Sequence, residues 1–266
     1  MVDHVEVSGL RIAYERRGSG PAVVLLHGFV GDGGSTWSPQ LEDLSADFTV
    51  VAWDAPGAGR SADPPATFRS PDYADCLAAF VAALGLGRPH VVGLSSGGVF
   101  ALELAGRHPD VVRSLVLAGG YAGWAGSLGP AAAEQRLQFC LHAAHLPPGE
   151  FVDALLPSMF ADPSAGYAAE FGASMRGFSP AGFRSMARSC AEADLRHVLG
   201  GLGVPTLVLH GEHDVRARRA VADALHDGIP GSRLVVLPGA GHVSSLEAPR
   251  QFTREVRDFL ATVPAD

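Results

Sequence analysis

Basic residues are scarce in this chain. Lys and Arg together number 20 of 266 residues against 28 acidic ones, for a formal charge of −8. They gather into no run, which excludes the electrostatic footprint of a nucleic-acid binder. Cysteine is scarcer still. Cys76, Cys140 and Cys190 are odd in number and far apart, so they build neither a disulfide frame nor a zinc site and read as reduced thiols. No apolar stretch nears the ~20 residues needed to span a bilayer. The opening segment MVDHVEVSGLRIAYERRGSG has no basic stretch followed by an apolar one. No signal peptide is therefore expected, and the cytoplasm is the expected location. What is present is 47% hydrophobic and 18% charged, the composition of an ordinary soluble globular protein. The length suits one α/β domain carrying an insertion.

Short apolar runs alternate with helical patterns along the chain. Val2–Val7 and Leu10–Arg16 read as an antiparallel pair joined at Ser8-Gly9. Ala22–Leu26, Phe48–Trp53, His90–Leu94, Ser114–Ala118, Thr206–His210 and Arg233–Leu237 are continuously apolar, as strands buried on both faces of a parallel sheet are. Helical stretches lie near Ser38–Leu44, Pro71–Leu84, Gly97–Arg107, Arg216–Leu225 and Pro249–Ala261. The alternation implies a mostly parallel eight-stranded sheet with helices on both faces. It fails between Tyr121 and Gly201, where helical patches are punctuated by prolines and no strand is evident. The expected organisation is a core over residues 1–120, a helical cap over 121–201, and the rest of the core over 202–266.

The most informative stretch is Val91-Val92-Gly93-Leu94-Ser95-Ser96-Gly97-Gly98, an apolar run leading through a glycine-framed serine into a helical pattern. That is the layout of a nucleophile elbow, with Ser95 at the apex of a strand-to-helix turn. A serine hydroxyl is a poor nucleophile near neutral pH and needs a base, which in turn needs an orienting carboxylate. In a sheet of this kind the reactive groups gather beyond the carboxyl ends of the strands. The loops there offer Gly211-Glu212-His213-Asp214 and Gly239-Ala240-Gly241-His242. The chain order Ser95, Asp214, His242 suits the fold, with Glu212 as the alternative acid.

On these residues the chain resembles the α/β-hydrolase superfamily over nearly its whole length. His27-Gly28-Phe29 is similar to the family's oxyanion loop, and Asp54-Ala55-Pro56-Gly57-Ala58-Gly59-Arg60-Ser61 to its D-x-P-G-x-G-x-S turn. Gly239-Ala240-Gly241-His242 with Glu247 and Pro249 is similar to its G-x-G-H…E-x-P segment, and the insertion sits where members carry a cap. The resemblance implies Ser95 as nucleophile, His242 as general base and acid, Asp214 as orienting acid, and the backbone N–H groups of Phe29 and Ser96 as oxyanion hole. It implies no cofactor and no metal, and a small-molecule ester, lactone or related acyl substrate. The same triad serves C–C bond hydrolysis and cofactor-free perhydrolysis, and some members are receptors for small molecules. The chain departs from many relatives in having Ser96 after the nucleophile and no proline soon after Asp214.

Each of these residues also has a plainer reading. Ser95 suits a helix N-cap, Asp214 suits the cap of a helix starting near Arg216, His242 suits a surface loop, and Asp54 and His27 suit structural turns. His142 with His145 and His210 with His213 have metal-like spacing but lack further ligands. Most large apolar residues of the insertion are expected to pack the cap on the core. The candidates left for a substrate pocket are Trp124, Phe139 and Phe160. Arg176, Arg184 and Arg188 suit a solvated helix face better than an anion site. An exposed apolar cap face would serve a homodimer.

Overall fold

The computed structural model describes residues 2–264. The tail Pro264-Ala265-Asp266 is expected from its composition and terminal position to fray, and its last two residues lie outside the described ones. The strands are β1 (Val2–Val7), β2 (Leu10–Arg17), β3 (Ala22–Leu26), β4 (Thr49–Trp53), β5 (His90–Leu94), β6 (Ser114–Ala118), β7 (Thr206–Gly211) and β8 (Arg233–Leu237). They form one eight-stranded sheet in the order β1-β2-β4-β3-β5-β6-β7-β8. The β1–β2 and β2–β4 pairs are antiparallel and all others parallel. Every residue of β4, β5, β6 and β7 is buried, as apolar runs without alternation require. The edge strand β1 turns Asp3, His4 and Glu6 to solvent, and charge there discourages pairing with another chain.

The helices are α1 (Gly33–Asp43), α2 (Ser70–Ala83) and α3 (Ser96–Arg107), then α4 (Trp124–Leu128), α5 (Pro130–Ala143), α6 (Pro148–Leu155), α7 (Gly166–Met175) and α8 (Pro180–Glu192) between β6 and β7. The short α9 (Arg196–Leu199) precedes β7, α10 (Arg219–Gly228) joins β7 to β8, and α11 (Ser244–Glu247) and α12 (Pro249–Thr262) follow. One group, α1 with α11 and α12, covers one face of the sheet, while α2, α3 and α9 cover the other. On α12 the buried residues Phe252, Val256, Phe259 and Leu260 recur at helical spacing, and Phe252 meets Trp37 of α1. Among the described residues no helix is long and apolar enough to cross a membrane.

Two helix starts differ from the sequence reading. Helix α1 begins at Gly33, not near Ser38. The Asp32 carboxylate accepts from the Ser35 N–H at 2.7 Å while the Ser35 hydroxyl accepts from the Asp32 N–H at 2.9 Å. This reciprocal cap outweighs the weak helix preference of Gly33-Gly34. Helix α10 begins at Arg219, not Arg216, because the backbone over 214–218 folds around the Asp214 side chain.

Register places the site. Leu26 lies opposite both Trp53 and Gly93, Leu94 opposite Ala118, and Gly211 opposite Leu237. The parallel strands therefore end nearly level, and the loops after β3, β5, β7 and β8 emerge along one edge. The chain runs from β3 to β4 on one side and returns to β5 on the other, which opens a crevice at that edge.

Candidate active site

Ser95 sits between β5 and α3 at φ 55° and ψ −113°. Ser8 is the only other non-glycine residue with positive φ among the described residues. Such a conformation costs about 1–3 kcal/mol and persists only where surrounding packing enforces it. The packing here is backbone on backbone. A β-carbon on Gly97 would lie 2.8 Å from the His27 carbonyl oxygen, so only glycine lets α3 start against β3. Ser95 occupies the N-cap position of α3, yet its hydroxyl makes no capping hydrogen bond. Capping therefore does not explain the residue.

The loop after β8 brings His242 to the same place. Its Nδ1 lies 2.8 Å from Asp214 Oδ2, and both side chains are buried. Asp214 Oδ1 accepts from the N–H groups of Arg216 and Ala217 at 2.8 and 2.9 Å. Burial would raise the Asp214 pKa. The charge and hydrogen bond of His242 and the two backbone donors together outweigh it and hold the carboxyl below its ordinary range. The acid loop thus caps a turn and fixes the imidazole, with Nδ1–H as the donating tautomer. His242 Nε2 is buried with no hydrogen-bond partner. Glu212 does not compete for the ring: half-exposed, it accepts from the Gly239 N–H at 2.9 Å.

Ser95 and His242 line one small cavity with Gly28, Phe29, Val30, Leu94, Met159, Phe171 and Val243. Apart from the serine and the histidine its walls are apolar. Ser96 is the first residue of α3, so its N–H has no intrahelical acceptor. Among the described residues neither the Ser96 nor the Phe29 N–H donates to a turn or loop carbonyl. The loop after β3 is held from behind. His27 Nε2 accepts from the Ala55 N–H at 2.9 Å and Nδ1 donates to the Gly28 carbonyl, while burial lowers the imidazole pKa. Asp54 accepts from the Gly33 N–H and from the backbone and guanidinium of Arg60, so its carboxylate is spent on its own turn.

The residues expected to line a substrate pocket fare differently. Phe139 is 46% exposed and lines a surface groove with Arg136, Val215 and Arg216, not the cavity that holds Ser95. The physical reason lies on its helix. Ala133, Leu137, Cys140 and Ala143 make the buried stripe of α5, and Phe139 is off it. Trp124 is buried one layer behind the cavity, its ring edge-on to Phe29 at 5.9 Å. Phe160 is buried behind Phe171, edge-on at 5.5 Å. From the cap, Met159 and Phe171 reach the cavity instead. Helical periodicity separates buried from exposed faces on these helices, but it cannot say which buried side chain ends at a void.

The cap is tied to the histidine loop. Val243 N–H donates to the Met159 carbonyl at 3.0 Å. Glu247 accepts from the Ala161 N–H at 2.7 Å and the Gly241 N–H at 2.8 Å. Among the described residues no group of His, Cys, Asp and Glu is placed to hold a metal.

Comparison with known proteins agrees with this architecture. Human serine hydrolase BPHL is 29% identical over 96% of this chain and 85% of its own. A thermophilic esterase from Thermogutta terrifontis superposes with a TM-score of 0.90 at 28% identity, covering 100% of both chains. The enol-lactonase from Burkholderia xenovorans LB400 superposes with a TM-score of 0.88 at 28% identity over 97% of this chain and 100% of its own. Residues 21–249 match the alpha/beta hydrolase fold family. The chain belongs to that family.

Proposed function

We propose that this protein is a serine hydrolase that cleaves a small, mostly apolar ester, lactone or related acyl compound through an acyl-enzyme. The observation that carries the reading is the pairing at one apolar cavity of a strained, uncapped Ser95 with a His242 whose outer nitrogen is free and whose inner one is held by Asp214. Ser95 Oγ attacks the acyl carbon while His242 Nε2 takes its proton. The Asp214 carboxylate stabilises the imidazolium that forms. The N–H groups of Phe29 and Ser96 face the developing oxyanion, where each such donor is worth about 2.7–4 kcal/mol. His242 then protonates the leaving group, and water, activated by the same nitrogen, releases the acid. The activities named for the esterase, the enol-lactonase and the serine hydrolase fit this reading.

The test is hydrolysis of short p-nitrophenyl esters by the wild type and by Ser95→Ala, with fluorophosphonate labelling alongside. Turnover lost in the variant, with covalent label on Ser95, supports the reading. Equal rates in both proteins, or a folded wild type that takes no label, would overturn it.

A further inference from the structure

One charged side chain beside the cavity has no opposite charge to meet it. Arg216 follows Asp214 by two residues and gives it a backbone hydrogen bond. Its side chain then runs inward. The guanidinium carbon lies 5.3 Å from the centre of the Phe29 ring, and Nη1 donates to the Ser158 hydroxyl at 2.7 Å. Nε is buried with no hydrogen-bond partner. Phe29 lines the Ser95 cavity, and so does Met159, the neighbour of Ser158. Arg216 is half-buried and lines the surface groove shared with Arg136, Phe139 and Val215, so its guanidinium stands between that groove and the Phe29 and Met159 walls of the cavity.

A second cation reinforces it. The Arg136 guanidinium sits 5.4 Å from the Tyr121 ring centre and 5.3 Å from that of Trp124. It donates to the Tyr121 hydroxyl at 2.9 Å and to the Arg216 carbonyl at 3.1 Å. Neither arginine has a carboxylate in ion-pair contact among the described residues. Asp214 acts on Arg216 through space, but its two oxygens are already engaged by His242 and by the backbone of residues 216 and 217. Burial, with repulsion from Arg136, holds the Arg216 guanidinium below its ordinary pKa. Buried charges are normally paired, and a planar guanidinium with a free N–H suits a carboxylate above other partners. Of the cap arginines, Arg176 is exposed, and Arg184 and Arg188, half-buried like Arg216, line a separate surface pocket with Pro64 and Ala66.

We propose that Arg216, backed by Arg136, binds a carboxylate on the substrate. The acyl compound cleaved at Ser95 then belongs to the class of half-esters or lactones that carry a second, remote carboxylate. This rests on Ser95 being the nucleophile of the reaction proposed above. The competing role for Arg216 is a brace against the Phe29 ring, which would serve charged and neutral substrates alike.

Matched pairs separate the two roles. Mono-p-nitrophenyl pimelate is compared with p-nitrophenyl heptanoate, and mono-p-nitrophenyl glutarate with p-nitrophenyl valerate. The wild type is expected to favour at least one half-ester over its neutral partner by tenfold or more in kcat/KM, mainly through KM. In Arg216→Met that ratio falls at least tenfold, whatever happens to absolute rates, and Arg216→Lys restores part of it. A wild type that favours the neutral partner in both pairs, or a ratio unchanged in Arg216→Met, overturns the proposal. The wild-type preference decides the matter should the variant fail to fold. Calorimetry on Ser95→Ala separates this proposal from the hydrolase reading. Tighter binding of monomethyl pimelate than of methyl heptanoate, without turnover of any ester by the wild type, keeps the carboxylate site and removes the hydrolase. Equal binding of the two removes the site.

Discussion

Gly93 and Gly97 approach each other so closely across the elbow that a β-carbon on Gly93 would lie 2.5 Å from the Gly97 carbonyl carbon. The atoms it would meet are backbone, which cannot swing aside as a flexible side chain can. Gly93→Ala is therefore expected to cost at least the upper part of the ~1–3 kcal/mol typical of overpacking. It should also slow fluorophosphonate labelling of Ser95 by displacing the turn that strains it. Urea unfolding and labelling kinetics on the same sample check both. A variant as stable and as reactive as the wild type would show that the elbow tolerates a side chain.

Ser96 offers the opposite expectation. Its hydroxyl is buried with no hydrogen-bond partner, and its proposed role belongs to its backbone N–H. Removing an unsatisfied buried oxygen is close to neutral or stabilising, by up to ~1 kcal/mol. Ser96→Ala should keep or raise the melting temperature and leave kcat within about threefold. A large fall in kcat would assign the hydroxyl a part in the chemistry.

Phe139→Ser tests the placement of the cap residues. The side chain is half-exposed and lines the outer groove, not the cavity that holds Ser95. Surface substitutions of this kind change stability by no more than about 0.5 kcal/mol. Esterase activity should be unaltered, whereas Phe171→Ala, which removes a cavity wall, should change chain-length preference. Acyl-chain profiles of the two variants decide it.

The contrast between these residues marks how far the sequence was legible. The central strands were readable because burial on both faces demands an unbroken apolar run, and His90–Leu94 has the same bounds in the sheet. The elbow was readable because glycine at Gly93 and Gly97 answers a steric demand that no other residue meets. The meeting of Asp214 and His242 was readable because the ends of neighbouring strands bring their loops side by side. The start of α1 was hidden by Gly33-Gly34, since a reciprocal Asp32–Ser35 cap outbids local propensity. The cavity walls were hidden for a different reason. Met159, Phe160, Phe171 and Phe139 are all large and apolar, and their ranking around a void depends on how five cap helices settle on the core. Arg216 was overlooked because an arginine in a polar loop gives no sign in sequence that its head turns inward.

The thiols carry a chemical prediction. Cys76, Cys140 and Cys190 are all buried and unpaired. Burial pushes Cys140 up to about 11 and Cys76 up to about 12, and Cys190 higher still. The thiolate is the reactive form, so the native protein at pH 8 should resist iodoacetamide. In urea all three should alkylate readily. Mass spectrometry of the two samples reads the difference, and equal labelling would contradict the burial of these groups.

Asp214 makes the sharpest pH statement. Its carboxyl lies below the ordinary value of 3.8 in the folded chain, despite burial, because His242 and two backbone N–H groups favour the anion. Between the folded and unfolded values the unfolded chain binds more protons, so stability rises with pH across that window. The contribution is complete above about pH 4 and is lost as pH falls through the folded value. Asp214→Asn keeps the shape but loses the charge, and it should be less stable than the wild type by about 1–3 kcal/mol at pH 7. The gap should close progressively below pH 4. Activity is a separate readout, since an asparagine can present its N–H to the ring and reverse the tautomer, with an expected loss of ~10³–10⁴ in kcat. Calorimetric melting of both proteins from pH 7 to pH 3 tests the linkage. A stability gap that stays constant, or widens toward acid, would mean that the carboxylate is not the favoured form of Asp214 in the fold.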